Sequence, residues 1–88
     1  MRALLPVAAV LLVAAGPPVI EPPGAESCTG CHVRGGGMGL LQGRPAQDTT
    51  QQMEAFRSGA RPATLMNRIV KGFTPDEVAA LSDWFAAQ

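Results

Sequence analysis

Residues 28–32 read Cys28-Thr29-Gly30-Cys31-His32, a C-x-x-C-H motif. It holds both cysteines of the chain and its one histidine. Two thiols three positions apart, followed at once by an imidazole, match the covalent attachment site of a c-type haem. The thiols can reach the two vinyl groups on one porphyrin edge. The next residue is then held beneath the iron and supplies a ring nitrogen as axial ligand. Three other uses of the cysteines fit less well. A thioredoxin-like redox pair needs a βαβ context, and no segment shows sustained strand alternation. A zinc site needs a fourth ligand beyond two Cys and one His. A plain disulfide in an exported protein closes a loop too small to constrain much and leaves His32 unexplained.

The rest of the chain calls for such a group. It has 88 residues, with 10 Gly and 8 Pro. One small, loop-rich domain has difficulty burying enough apolar area to offset its conformational entropy. Domains of this kind usually carry a staple, and a rigid apolar disc is one. Aromatic residues are few: Phe56, Phe73, Trp84 and Phe85. Formal net charge is zero, which gives no electrostatic case for a nucleic-acid partner.

Upstream of the motif the chain reads as an export signal. Arg2 is a short positive start, and Ala3 to Ala15 is apolar throughout. Val13-Ala14-Ala15 places small residues where a signal peptidase cuts. The expected division is a signal peptide over 1–15, a Pro-rich linker over 16–24 and one domain over 25–88. The apolar run is shorter than the ~20 residues of a transmembrane helix. An uncleaved anchor is the one membrane contact this reading allows. Export puts the chain in the periplasm, outside the cytoplasm, where haem is attached to such proteins.

Downstream, helices are expected and strands are not, so the fold class is all-α. A short helix is expected around the cysteines, between Ala25 and His32. Gly35-Gly36-Gly37-Met38-Gly39 reads as a loop that lets backbone pass close to something flat. Asp48 is a candidate N-cap with Gln51 three residues on, for a helix to about Arg57 that buries Met53 and Phe56. Ser58-Gly59 ends it. Ala60 to Asn67 reads as loop, and Arg68 to Lys71 as one turn stopped by Gly72. Thr74-Pro75-Asp76-Glu77 carries an N-cap, a first-position proline and a capping-box Glu. Phe73 and Val78 are spaced as a hydrophobic staple, and Val78, Leu81, Trp84 and Phe85 share one helical face. Asp76 and Glu77 are helix-start residues, not catalytic acids.

With His32 as proximal ligand, three methionines can supply the second: Met38, Met53 and Met66. Met38 lies so close to His32 that little chain is left to wrap the group. Met53 shares a face with Phe56 and reads as core filler. Met66 is far enough downstream to return over the opposite haem face, and is favoured. Thioether ligation suits electron transfer, whereas an open iron suits a sensor or peroxidase. Arg44, Arg61, Arg68 and Lys71 are candidates to pair with the haem propionates or to rim a docking surface. Arg68, two residues past Met66, stands first; solvated surface charge is the alternative.

On these residues the chain resembles a class I cytochrome c. Within that class it is similar to the cytochrome subunit of flavocytochrome c sulfide dehydrogenase. The likeness rests on Cys28-Thr29-Gly30-Cys31-His32, on Phe56-Arg57-Ser58-Gly59, on Thr64-Leu65-Met66-Asn67-Arg68-Ile69-Val70-Lys71-Gly72-Phe73, and on the closing Leu81-Ser82-Asp83-Trp84-Phe85. It implies a small class I cytochrome c fold around one covalently bound haem c, held by Cys28, Cys31, His32 and Met66. It implies that Trp84 packs across the first helix. It further implies one-electron transfer, without catalysis by this chain, from a flavoprotein dehydrogenase subunit to a downstream cytochrome or oxidase. A free-standing carrier, and a haem sensor or peroxidase with an open iron site, are the alternatives. Class I cytochromes usually carry a proline after the motif whose carbonyl orients the proximal His. Gly39-Leu40-Leu41-Gln42-Gly43 has none, so the carbonyl of Leu40 or Gly39 is expected to serve.

Overall fold

The last helix shows most directly how sequence becomes structure. In the computed structural model, which describes residues 2–11 and 20–88, helix α4 spans Pro75–Ala86. Thr74 caps it: its backbone N–H donates to Glu77 Oε1 at 2.9 Å, and Glu77 N–H returns a bond to Thr74 Oγ1 at 3.2 Å. The backbone bond holds the Glu77 carboxyl below its usual pKa. Val78, Leu81, Ser82 and Phe85 form the buried face. That face belongs to a four-helix arrangement, with α1 at Ala25–Thr29, α2 at Ala46–Ser58 and α3 at Met66–Ile69. A 3-10 turn over Val70–Gly72 continues α3. No strand occurs among the described residues, and the fold is all-α.

Helix α2 begins two residues before the expected cap. Pro45, with φ −52°, takes the N-cap position, and its carbonyl accepts from Asp48 N–H at 3.0 Å. Asp48 instead sits in the first turn, where its charge suits the helix dipole. Gly59 closes α2 at φ +82°, a left-handed turn in which glycine carries no Cβ penalty. Met66, expected in a loop, opens α3.

α2 packs against α4, α3 and the 3-10 turn. Thr50 Oγ1 donates to Ser82 Oγ at 2.9 Å, and Ser82 Oγ donates to the Val78 carbonyl at 2.8 Å. Arg57 Nη2 donates to the Phe73 carbonyl at 2.8 Å, tying the end of α2 to the start of α4.

α1 joins the core through Ala25, which clusters with Leu81 and Phe85; Cys28, Leu41, Phe73 and Trp84 pack around them. Phe85 is 1% exposed, while Trp84 is half-buried and meets it edge-on at 4.9 Å between ring centroids. Phe85 is therefore the aromatic at the centre of the α1–α4 contact, with Trp84 at its margin. The spacing put both on one face, and one residue of helical rotation decides between them.

Pro23 and Gly24 form a turn ahead of α1. Gly24 has φ +91°, and a Cβ there would stand 2.5 Å from the Phe73 ring. Residues 2–11 are exposed and lack regular secondary structure. The expected cleavage position at Val13-Ala14-Ala15 and the first part of the linker lie outside the described residues. Among the described residues, no helix is long and apolar enough to cross a membrane.

Candidate functional site

The buried apolar core of the described residues is small: Ala25, Val70, Val78, Leu81 and Phe85. α2 contributes no fully buried residue. The reason is a cavity of about 460 Å³ between the helices, within the ~300–1,000 Å³ range of cofactor sites. Met53 and Phe56, expected to fill a core, line this space, and so do Val78, Leu81 and Phe85. The apolar faces of α2 and α4 thus meet across a void as well as each other.

Cys28, Cys31, His32 and Met66 all line the same cavity. Cys28 lies on α1, half-buried; Cys31 is exposed just after the helix; both are free thiols. Burial pushes the Cys28 thiol up in pKa, and a hydrogen bond from Ser27 pulls it the other way. His32 N–H donates to the Cys28 carbonyl at 2.8 Å, which holds the turn between thiols and imidazole.

The His32 ring lies 3.1 Å, through Nδ1, from the Gly39 carbonyl. A carbonyl can only accept, so Nδ1 carries a proton, and in the neutral ring Nε2 then keeps its lone pair. That tautomer is the one a metal-ligating imidazole needs, with its other nitrogen bonded to an outer acceptor. Gly39, one of the two expected carbonyls, is the one that serves.

Met66 enters from the start of α3, but Met53 and Met38 reach the cavity too. Met38 is 60% exposed, at its rim. Arg44 and Arg61 are the cationic side chains of the lining. Arg68, the favoured one in sequence, is exposed and not part of it. Two residues on, roughly 200° around the helix, its side chain leaves in a different direction from that of Met66. Arg61 stacks over Phe56 at 4.7 Å and donates to Gln52 Oε1.

Two polar residues of the wall carry buried hydroxyls that the sequence pattern does not mark as part of a site. Thr49 Oγ1 is buried without a hydrogen-bond partner, and Ser82 is 1% exposed. Ser82 was detectable, four residues after Val78 on the buried stripe; Thr49 carried no signal beyond its helix.

The arrangement fits a haem. Two thiols and a lone-pair nitrogen face an apolar cavity, with a thioether donor and two guanidiniums in its wall. The unpartnered Thr49 hydroxyl can donate to a polar edge of a bound group.

No family model matches the chain. It is 33% identical over 101 residues to a thiosulfate dehydrogenase electron acceptor of Thiomonas intermedia (strain K12). The match covers 98% of this chain and 46% of that protein. The chain thus spans about half the length of the curated relative it matches.

Proposed function

We propose that the chain is a periplasmic c-type cytochrome that carries single electrons. Its donor is a dehydrogenase that oxidises a reduced inorganic sulfur compound. The observation that carries this reading is the His32–Gly39 hydrogen bond, which frees Nε2 in a cavity shared with Cys28, Cys31 and Met66. Cys28 and Cys31 would hold one haem c through thioether bonds, and His32 and Met66 would supply the nitrogen and sulfur that bind its iron. The haem supplies a one-electron couple, with no substrate chemistry asked of the protein. The residues orient, enclose and dry it: Gly39 fixes the imidazole, while Phe56, Leu81 and Phe85 wall off water.

The sulfur chemistry of the donor rests on two separate likenesses. The Met66 to Phe73 segment is similar to a sulfide dehydrogenase cytochrome, and the Thiomonas relative is named as an acceptor for thiosulfate dehydrogenase. Both support a carrier that takes electrons from a sulfur-oxidising enzyme.

The deciding experiment is a visible spectrum of the exported protein, oxidised and reduced, beside Met66→Ala, Met53→Ala and Met38→Ala. A low-spin c-type spectrum with an iron–sulfur charge-transfer band is expected in the wild type. The band is expected to vanish in Met66→Ala alone. Rapid carbon monoxide binding by the reduced wild type would instead favour an open-site sensor or peroxidase. Absence of covalent haem from the exported protein would overturn the reading.

A further inference from the structure

The Gly39 carbonyl can orient His32 only if its own peptide is held. Gly39 is at φ +83°, and glycine is the least restricted of residues. Nothing in Gly39-Leu40-Leu41-Gln42-Gly43 fixes the backbone covalently, as a proline would. The restraint comes from three hydrogen bonds, the longest from the Arg44 backbone N–H to the Leu41 carbonyl at 3.4 Å. Gly43 N–H donates to the Phe85 carbonyl at 3.0 Å, tying the far end of the loop to α4. Arg44 Nε donates to the Leu40 carbonyl at 2.8 Å, gripping the peptide next to the one that accepts from His32.

We propose that Arg44 is a positioning residue for His32: by clamping the Leu40 carbonyl it holds the Gly39 carbonyl on Nδ1 of the ring. The inference rests on the reading that His32 ligates haem iron. It assigns Arg44 a task different from that of Arg61, although both line the cavity. Arg61 is committed to Phe56 and Gln52 and makes no bond to the loop.

The two roles differ in sign. A hydrogen bond from Nδ1–H to a carbonyl makes the imidazole a stronger donor, which favours oxidised iron. Releasing it raises the reduction potential. Loss of a nearby positive charge also favours oxidised iron, and so lowers the potential.

The test uses the haem-loaded full chain as wild type, Arg44→Ala, Arg44→Lys and Arg61→Ala. It reads the His32 Nδ1–H exchange rate by NMR and the midpoint potential. Arg44→Ala is expected to speed exchange about tenfold, the equivalent of one lost hydrogen bond. Its potential is expected above that of Arg61→Ala, which exchanges as the wild type does. Arg44→Lys keeps the charge but not the planar donor, so its exchange quickens and its potential rises above the wild type. This variant carries the test if Arg44→Ala fails to load haem. Wild-type exchange in Arg44→Lys, or potentials of Arg44→Ala and Arg61→Ala lowered alike, would overturn the clamp and leave haem ligation standing. A wild type without covalent haem overturns the proposed function, and the clamp with it.

Discussion

At the scale of single residues, burial sorts side chains that the sequence pattern treats alike. Trp84 and Phe85 are neighbours on one apolar helix, yet only Phe85 is fully buried, against Ala25 and Leu81. Truncating a buried Phe costs about 3–5 kcal/mol. Phe85→Ala is therefore expected to lower the denaturation midpoint far more than Trp84→Ala, in urea melts of the exported protein. Equal losses would mean that Trp84 shares the centre of the contact. Gly24→Ala is expected to destabilise as well, because it combines a positive φ with a Cβ pressed on the Phe73 ring. At this scale the sequence was legible where chemistry is local. Cys28, Cys31 and His32 are fixed by spacing, and all three line the cavity. Arg44 could not be told from Arg68, because a guanidinium's partner is decided by tertiary distance. The Leu40 carbonyl leaves no mark in a sequence.

At the scale of elements, legibility follows the strength of the end signals. α4 carries a cap, a proline and a reciprocal Glu within four residues, and it folds from Pro75 as its pattern foretells. α2 carries a good cap residue, Asp48, but Pro45 competes for the start with its preset φ and prevails. The Thr74 cap is open to direct measurement. Thr74→Ala is expected to cost about 1 kcal/mol, seen as a lower thermal midpoint. Its partner Glu77 gives a pH signature. The backbone hydrogen bond from Thr74 holds its folded-state pKa below the ordinary glutamate value, so the ionised form is the one the fold stabilises. The contribution is present above that value and is lost as pH falls through the lower, folded-state pKa. Melting wild type and Glu77→Ala at pH 7 and at pH 3 should therefore give a gap that narrows in acid. A gap that widens in acid would assign the cap's strength to the neutral carboxyl.

At the scale of the whole molecule, the fold is a shell around a space. α2 buries no residue completely, and three of the five buried apolar side chains line the cavity. The cavity is not sealed: Cys31 and Met38 of its lining are exposed. With no guest, water would wet its apolar walls, and each Å² of apolar surface left in water forfeits roughly 25 cal/mol. Filling the cavity is therefore expected to strengthen a fold whose own core, among the described residues, is five buried apolar side chains. A Cys28→Ser/Cys31→Ser double variant cannot attach haem through thioether bonds. By circular dichroism it is expected to melt broadly and at much lower temperature than the haem-loaded wild type. In a domain of this size each lost kcal/mol lowers the midpoint by about 4–8 °C. It should also bind a hydrophobic dye, as compact states with loosened packing do. A sharp melt near the wild-type temperature would mean that the four helices close on one another without a guest. The cavity would then belong to the protein's own packing and not to a cofactor.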